Sequence, residues 1–547
     1  MQLNPAQLEP SAHVDTFCRD NLPPAAEWPE LIFELPELAY PDRLNAATHL
    51  LDGAVARWGG DRPCVLSRTA TWSYGYLLAR ANQVAHVLVR RGVVPGNRVL
   101  LRGTNTPWLA ACWLGVLKAG AVAVATMPML RAYELGAIVA ASRPVLALAE
   151  HELAGELRAT PGAPPVLCYG GPDLDDLTAL AAAEPPAFAD VDTSADDVAL
   201  LAFTSGTTGT PKATMHFHRD LLAIADTFSR HVLAPRPDDV FIGSPPLAFT
   251  FGLGGLLVFP LHAGAATMLI GQTNPLELAE LAAARGATVM FTAPTAYRAI
   301  LASEKAHLLA GLRRAVSAGE ALPAAVAEQF HAVTGRHLID GIGATELLHV
   351  FISAADGDAR PGATGKVVPG FRAAVLDDAG EPVPDGTPGL LAVKGPTGCR
   401  YLADDRQRSY VRNGWNLTGD TYIRTPDGYF VFCARSDDMI ISAGYNIAGP
   451  EVEEVLLRHP DVAECAVVGA PDPARGTIVA AYVVLRPGVR GGSEKVAELQ
   501  AFAKSVAAPY KYPRRIEFVA DLPRNPSGKL QRYLLRRRAA GQAPAAA

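Results

Sequence analysis

Apolar and polar positions along the chain switch repeatedly between two periods. Short apolar runs at 99–102, 122–124, 145–149 and 197–203 predict buried strands. Between them, apolar residues recur every three or four positions and predict helices over 75–90, from Pro107 onward, and over 133–140. The alternation resumes with a helix over 218–232, strands 265–269 and 288–293, and a helix over 276–285 between them. Strand 312–317, helix 326–334 and strand 337–340 continue it. Strands and helices at this spacing imply crossover units and mostly parallel sheets. After about residue 365 the pattern changes to short strands at 373–376, 390–393 and 429–432, separated by Gly, Pro and Asp turns. From about 436 a last region predicts a hairpin, a helix over 450–458, strands 462–468 and 478–485, and a helix over 496–506. The expected fold is therefore α/β. A large N-terminal region, 1–435, holds two layered α/β subdomains plus a small β-barrel-like unit, and a small mobile α+β domain, 436–547, follows. Residues 1–45, rich in Pro, Asp and Glu, read as an irregular lead-in with short helices.

With 547 residues the chain is too long for one comfortable core, which supports several domains. Apolar residues make up 49% and charged residues 19%, a balance that excludes a disordered chain. The net charge of -6 offers no basic surplus for nucleic acid, and the arginines of 532–538 read as a solvated helix face. Seven cysteines, at 18, 64, 112, 168, 399, 433 and 465, show no zinc spacing and no disulfide framework. They suggest the reduced thiols of a cytoplasmic protein. The longest apolar run, 108–124, is broken by Lys118 and reads as a buried helix followed by a buried strand, so no membrane association is expected.

The strongest local signal is an apolar strand running into Thr204-Ser205-Gly206-Thr207-Thr208-Gly209-Thr210-Pro211-Lys212. Gly206 and Gly209 can adopt backbone angles closed to larger residues, and their N–H groups can turn inward as an anion nest. Hydroxyls and the Lys212 ammonium add donors, as a triphosphate requires. Gly-Lys-Ser/Thr is absent, so this is not a Walker A loop.

This string resembles the signature of the adenylate-forming acyl-CoA ligase superfamily, and the resemblance spans nearly the whole chain. Asp340-Gly341-Ile342-Gly343-Ala344-Thr345-Glu346 is similar to the second signature, where the loop packs beside adenine, the Thr touches phosphate and the Glu helps hold Mg²⁺. Gly319 and Glu320, in Ser317-Ala318-Gly319-Glu320, match a loop lining the adenine pocket. Asp420, in Leu417-Thr418-Gly419-Asp420, matches the ribose-binding Asp, and Arg435 an arginine reaching the nucleotide. Lys529, in Asn525-Pro526-Ser527-Gly528-Lys529, matches the lysine of adenylation. The resemblance thus implies Thr204, Lys212, Glu346 and Lys529 as catalytic residues, with ATP, Mg²⁺ and coenzyme A as cofactor and co-substrates.

It also implies two half-reactions: adenylation of an acid, then attack by the CoA thiol with loss of AMP. Asp437 matches the hinge about which the small domain turns between them, and Ser442, Ala443, Gly444 and Tyr445 the segment then presented to CoA. The subgroup most similar in sequence is the benzoate and 2-aminobenzoate CoA ligases, through 246–254 and 341–351. There Thr250, Phe251, Gly343 and His349 would face a small aromatic acid. Thr250 departs from the Ala expected for plain benzoate and tilts the expectation toward an ortho-amino or ortho-hydroxy ring. Two alternatives stay open: loading of an acid onto a carrier-protein phosphopantetheine, and a noncatalytic nucleotide-binding protein. Sequence leaves monomer and homo-oligomer open.

Overall fold

The computed structural model describes residues 8–173, 175–204, 211–435, 438–442, 445–472, 476–507, 511–524 and 530–541. It divides into two compact units, Met1–Ala373 with Ala392–Leu417, and Ala374–Leu391 with Thr418–Ala547.

In the first unit, β1 (Pro63–Leu66) and β2 (Thr71–Ser73) precede the helix Tyr74–Arg90. Ser73 starts that helix by accepting the Tyr76 N–H at 3.2 Å. A six-stranded sheet follows, built from β3 (Arg98–Arg102), β4 (Val122–Thr126), β5 (Leu146–Glu150), β6 (Val166–Tyr169), β7 (Val198–Thr204) and β8 (Lys212–Phe217). Its order is β6-β5-β3-β4-β7-β8, and all pairs are parallel except β7 with β8. Every position of β3 and β4 is buried, so their sequence does not alternate. The helix Pro107–Lys118 joins these two strands, with Pro first and Thr106 accepting the Leu109 N–H at 3.2 Å. Lys118, which interrupts the apolar run, is wholly buried between Asp52 at 2.6 Å and Asp190 at 2.9 Å.

The second sheet takes β9 (Val240–Gly243), β10 (Ala266–Met268), β11 (Val289–Thr292), β12 (Arg314–Ala318), β13 (Ile339–Gly343), β14 (Val350–Ser353) and β15 (Lys366–Val367). Its order, β15-β14-β13-β12-β11-β9-β10-β1-β2, draws in the first two strands of the unit, with Val65 opposite Thr267. The two layers therefore do not divide at one point of the chain, which strand periodicity alone does not reveal. Ile242, Met290, Tyr297, Ile300 and Phe330 form a core between this sheet and the helices Pro294–Leu301 and Ala324–Thr334. One expected helix, 218–232, is α-helical only over His218–Ile224 and widens to π-type turns over Ala225–Leu233. The Thr227 hydroxyl donates to the Ala223 carbonyl there, at 2.6 Å, and competes with the regular ladder.

The turn-rich region forms β16 (Arg372–Leu376), β17 (Pro388–Lys394), β18 (Val411–Arg412), β19 (Trp415–Arg424) and β20 (Phe430–Arg435), a five-stranded sheet in which β20 pairs with β19. After it come the hairpin β21 (Ile440–Ser442) with β22 (Tyr445–Ile447), the helix Gly449–Leu457, β23 (Val462–Asp472), β24 (Gly476–Leu485), the helix Ser493–Val506, β25 (Arg515–Phe518) and the helix Arg532–Ala539. Val452, Leu456, Val467, Val483 and Leu499 fill its core. The arginine-rich helix is held by ion pairs: Arg532 to Glu453 at 2.5 Å, Arg536 to Asp438, and Arg538 to Glu517. All seven cysteines are unpaired. Among the described residues no helix is long and apolar enough to cross a membrane.

Candidate active site

In the second sheet, strands β9, β11, β12 and β13 run parallel, so their C-terminal ends share one edge. Loops leaving that edge are where ligands collect in open α/β sheets. Ser244, just past β9, hydrogen bonds Thr292 at the end of β11, Oγ to Oγ1 2.6 Å. Gly319 leaves β12 with φ +90°, a turn that favours glycine, and half-buried Glu320 follows it. Asp340, Gly341, Ile342 and Gly343 are on β13, where Ser317 lies opposite Asp340 and Ala318 opposite Gly341. The 317–320 and 340–343 segments are thus neighbours by strand pairing. Burial pushes the Asp340 carboxyl up to about 8 against a hydrogen bond from the Gly341 backbone. A Cβ at Gly341 would stand 2.8 Å from a Val350 methyl carbon, and one at Gly343 2.8 Å from the His349 carbonyl oxygen. Close backbone approach between β13 and β14 therefore needs Gly343, and packing of the Val350 side chain needs Gly341.

The phosphate-loop candidates Ser205, Gly206, Thr207, Thr208 and Gly209 lie outside the described residues, as do Asp437, Ala443, Gly444 and Lys529. Both ends of that loop are described. Thr204 and Lys212 face each other as the last rung of β7 and β8, so the loop spans a hairpin. From β8, alternate side chains reach one turn. The Lys212 ammonium donates to the Tyr401 hydroxyl at 3.1 Å, and that hydroxyl donates to Glu346 Oε1 at 2.5 Å. Four residues along β8, His216 Nε2 is 2.8 Å from the Thr345 carbonyl oxygen. A carbonyl only accepts, so His216 Nε2 is the donor in this bond. Behind His216 is Asp220, whose Oδ2 is 3.7 Å from Nδ1 and pairs with Arg400. Burial works to raise the Asp220 pKa, but the Arg400 charge and His216 outweigh it and hold the carboxyl below its ordinary value. Arg400 in turn stacks over Phe217 at 4.0 Å.

Glu346 is buried, and among the described residues its only hydrogen bond is the one from Tyr401 to Oε1. A carboxylate with its second oxygen uncommitted suits a hard, oxygen-seeking cation such as Mg²⁺. Leu348, two residues on, has φ +68°, an uncommon angle for leucine, and turns the chain so that His349 faces the other way, into a ring cluster.

That cluster encloses His349 with Phe259 at 4.6 Å, Phe228 at 5.4 Å, Phe251 at 5.7 Å and Phe291 at 6.5 Å between centroids. The helix Thr250–Leu253 presents Thr250 and Phe251, both partly exposed, at its first turn. Side-chain-free positions make room for the rings: a Cβ on Gly254 would meet the His349 ring at 2.4 Å, and one on Gly255 the Phe291 ring at 2.5 Å. His349 is 3% exposed, and among the described residues neither ring nitrogen has a hydrogen-bond partner of acceptable geometry. Burial lowers its pKa to about 3, against a small opposing pull from the Phe251 backbone, so the ring is neutral. An orphaned, neutral imidazole offers one donor and one acceptor.

In the second unit, Asp420 and Arg435 are cross-strand partners on β19 and β20, with Arg435 Nη1 3.0 Å from Asp420 Oδ1. Gly419 takes φ +74° and leaves space that the Arg435 guanidinium closes to 3.0 Å. Ser442 is buried in the hairpin and pairs with Tyr445.

The structure thus joins Thr204 with Lys212, Lys212 with Glu346 through Tyr401, Phe251 with His349, and Asp420 with Arg435. Sequence reasoning missed Tyr401, Arg400 and Asp220. The available signal was an Arg-Tyr pair between Cys399 and Leu402, polar residues in a buried run.

Residues 51–401 match the AMP-binding enzyme family, and residues 451–529 the AMP-binding enzyme C-terminal domain. Benzoate–CoA ligase of Thauera aromatica is 34% identical over 517 residues, 92% of this chain and 97% of its own. The anthranilate CoA ligase AuaEII, solved with anthranoyl-AMP, superposes with a TM-score of 0.88 at 31% identity, covering 92% of this chain and 99% of that one. A benzoate CoA ligase from Burkholderia xenovorans LB400 gives 0.83 at 33% identity, over 90% and 100%.

Proposed function

The chain belongs to the AMP-binding enzyme family, and from that premise we propose that it is an AMP-forming aryl-carboxylate CoA ligase preferring 2-aminobenzoate, with benzoate second. The observation that carries the choice of acid is His349, buried among four phenylalanines with both ring nitrogens unsatisfied. An aryl ring stacks against such a wall, and an ortho-amino group can donate to the free imidazole nitrogen. The Thr250 hydroxyl adds polarity at the same edge.

In this reading Thr204, Ser205, Gly206, Thr207, Thr208, Gly209 and Lys212 hold the ATP phosphates, and 319–320 with 340–343 flank adenine. Thr345 meets phosphate, Asp420 takes the ribose hydroxyls and Arg435 steadies it. Glu346 would hold Mg²⁺, which supplies charge neutralisation on the triphosphate and eases departure of pyrophosphate. Lys529 offsets repulsion between the acid's carboxylate and the α-phosphate during adenylation. Residues 436–547 then turn about Asp437, and 442–445 approach the nucleotide as the CoA thiol attacks the acyl carbonyl and AMP leaves.

The test is thioester formation, followed by mass, from ATP, Mg²⁺ and CoA with 2-aminobenzoate, 2-hydroxybenzoate, benzoate, cyclohexanecarboxylate or hexanoate. The expected order places 2-aminobenzoate first. A preference for hexanoate removes the aryl assignment, and transfer only to a phosphopantetheinylated carrier protein removes CoA as acceptor.

A further inference from the structure

Tyr401 is fully buried, yet its hydroxyl touches two charged groups from distant parts of the chain, Lys212 and Glu346. Its donor and acceptor roles are forced. An ammonium only donates and a carboxylate only accepts, so the phenol receives from Lys212 and gives its single proton to Glu346. Among the described residues, Lys212 and Glu346 make no direct ion pair; the phenol stands between them.

The placement of this ring is built rather than incidental. Residues 400–402 run along β8 as an added strand: Met215 N–H donates to the Arg400 carbonyl and Leu402 N–H to the Ala213 carbonyl, at 2.8 and 2.9 Å. Thr214 is the bridge partner of Tyr401. The Tyr401 N–H donates to Gln407 Oε1 at 2.9 Å, and Tyr410 packs edge-on to the ring at 5.8 Å. On the other side the Lys212 ammonium is 4.9 Å from the ring centroid.

Two opposite charges this close would collapse into a salt bridge if nothing separated them, and each would be neutralised before any ligand arrived. We propose that Tyr401 is a positioning residue for adenylation. Its phenol spaces Lys212 from Glu346, leaving the ammonium directed at phosphate oxygens and the carboxylate open to the cation that accompanies them. This rests on the family reading above but not on which acid is used.

The experiment uses full-length protein with Tyr401→Phe, which keeps the ring in its packing and removes only the oxygen. Thermal unfolding checks that the fold is retained. Calorimetric titration with ATP, with and without Mg²⁺, is independent of any acid. The expected result is affinity for MgATP weakened about tenfold and affinity for metal-free ATP weakened by less than that, since only the Lys212 contact is lost there. Acid-dependent pyrophosphate release should fall about tenfold or more in kcat, while thioester formation from supplied aryl-adenylate and CoA stays within about threefold. A cycle with Glu346→Gln gives the second arm, because the two losses should be strongly non-additive. MgATP affinity and pyrophosphate release both unchanged in Tyr401→Phe, equal losses in both half-reactions, or strict additivity with Glu346→Gln would each overturn the proposal. Failure of the function reading looks different: wild-type protein would bind MgATP yet release no pyrophosphate with any acid, and the calorimetric arm would still decide the role of Tyr401.

Discussion

Replacing Arg400 with Met should destabilise the first unit sharply, and the structure sets the scale. The Arg400 and Asp220 side chains are each 0% exposed, so removing the guanidinium strands a carboxylate away from water. Breaking a buried pair from one side costs about 3–5 kcal/mol. Asp220 keeps the Phe217 N–H at 3.0 Å and the nearby Arg219 charge, which places the expected loss near the lower end of that range, about 3 kcal/mol. Unfolding entropy is about 2.1 cal/mol/K per residue, so a unit of roughly 400 residues gains about 0.8 kcal/mol/K, and the loss corresponds to a fall of about 4 °C in Tm. Scanning calorimetry reads this directly as a shift of the main transition. The double variant Arg400→Met, Asp220→Asn removes the stranded charge and should recover at least half of the loss, because a neutral pair of similar volume is tolerated where a lone charge is not. A single variant that melts within about 1 °C of wild type, or a double variant no better than the single, would refute the reasoning.

Two further changes probe the acid side. Gly254→Ala puts a methyl 2.4 Å from the His349 ring, an overlap of the kind that costs about 1–3 kcal/mol, so KM for the aryl acid should rise at least about fivefold with KM for ATP unchanged; steady-state pyrophosphate release checks it, and an unmoved acid KM would contradict the placement of the pocket wall. His349 gives a pH signature: its pKa falls from 6.5 to about 3 on folding, so below pH 6.5 the unfolded chain takes up a proton that the native ring refuses. Stability is fully present above that pH and falls by up to about 1.4 kcal/mol per pH unit as acid is added, and His349→Gln should flatten the acid-side slope of unfolding free energy against pH by that increment, read by denaturant titration at each pH.

The alternation of apolar runs located β3, β4, β5 and β7 within a residue or two, because strands buried on both faces leave little ambiguity, but it gave no strand at 63–66, 166–169, 212–217, 240–243 or 350–353. It did not assign β1 and β2 to the second sheet. The partner of Val65 is Thr267, two hundred residues away, and nothing local encodes that pairing. The candidate site was legible where motif and geometry coincide. A Cβ at Gly343 would meet the His349 backbone and one at Gly341 the Val350 side chain, and Asp420 with Arg435 are a strand pair. Tyr401 and Arg400 were not legible, since their value comes from a segment laid against β8 from nearly two hundred residues away. The widened turns over Ala225–Leu233 escaped for a different reason: a hydroxyl competing for one carbonyl changes the helix without changing its apolar period.

Strand β8 acts as a ruler for the chemistry beside it. Pleat alternation brings Lys212 and His216 to one side, two rungs apart, and each fixes a different point of the same turn, Glu346 through a phenol and Thr345 through its carbonyl. Adding or deleting one residue in this strand would transpose its faces, sending the core residues Ala213, Met215 and Phe217 outward and the ammonium inward. Length in this segment is therefore constrained as tightly as identity.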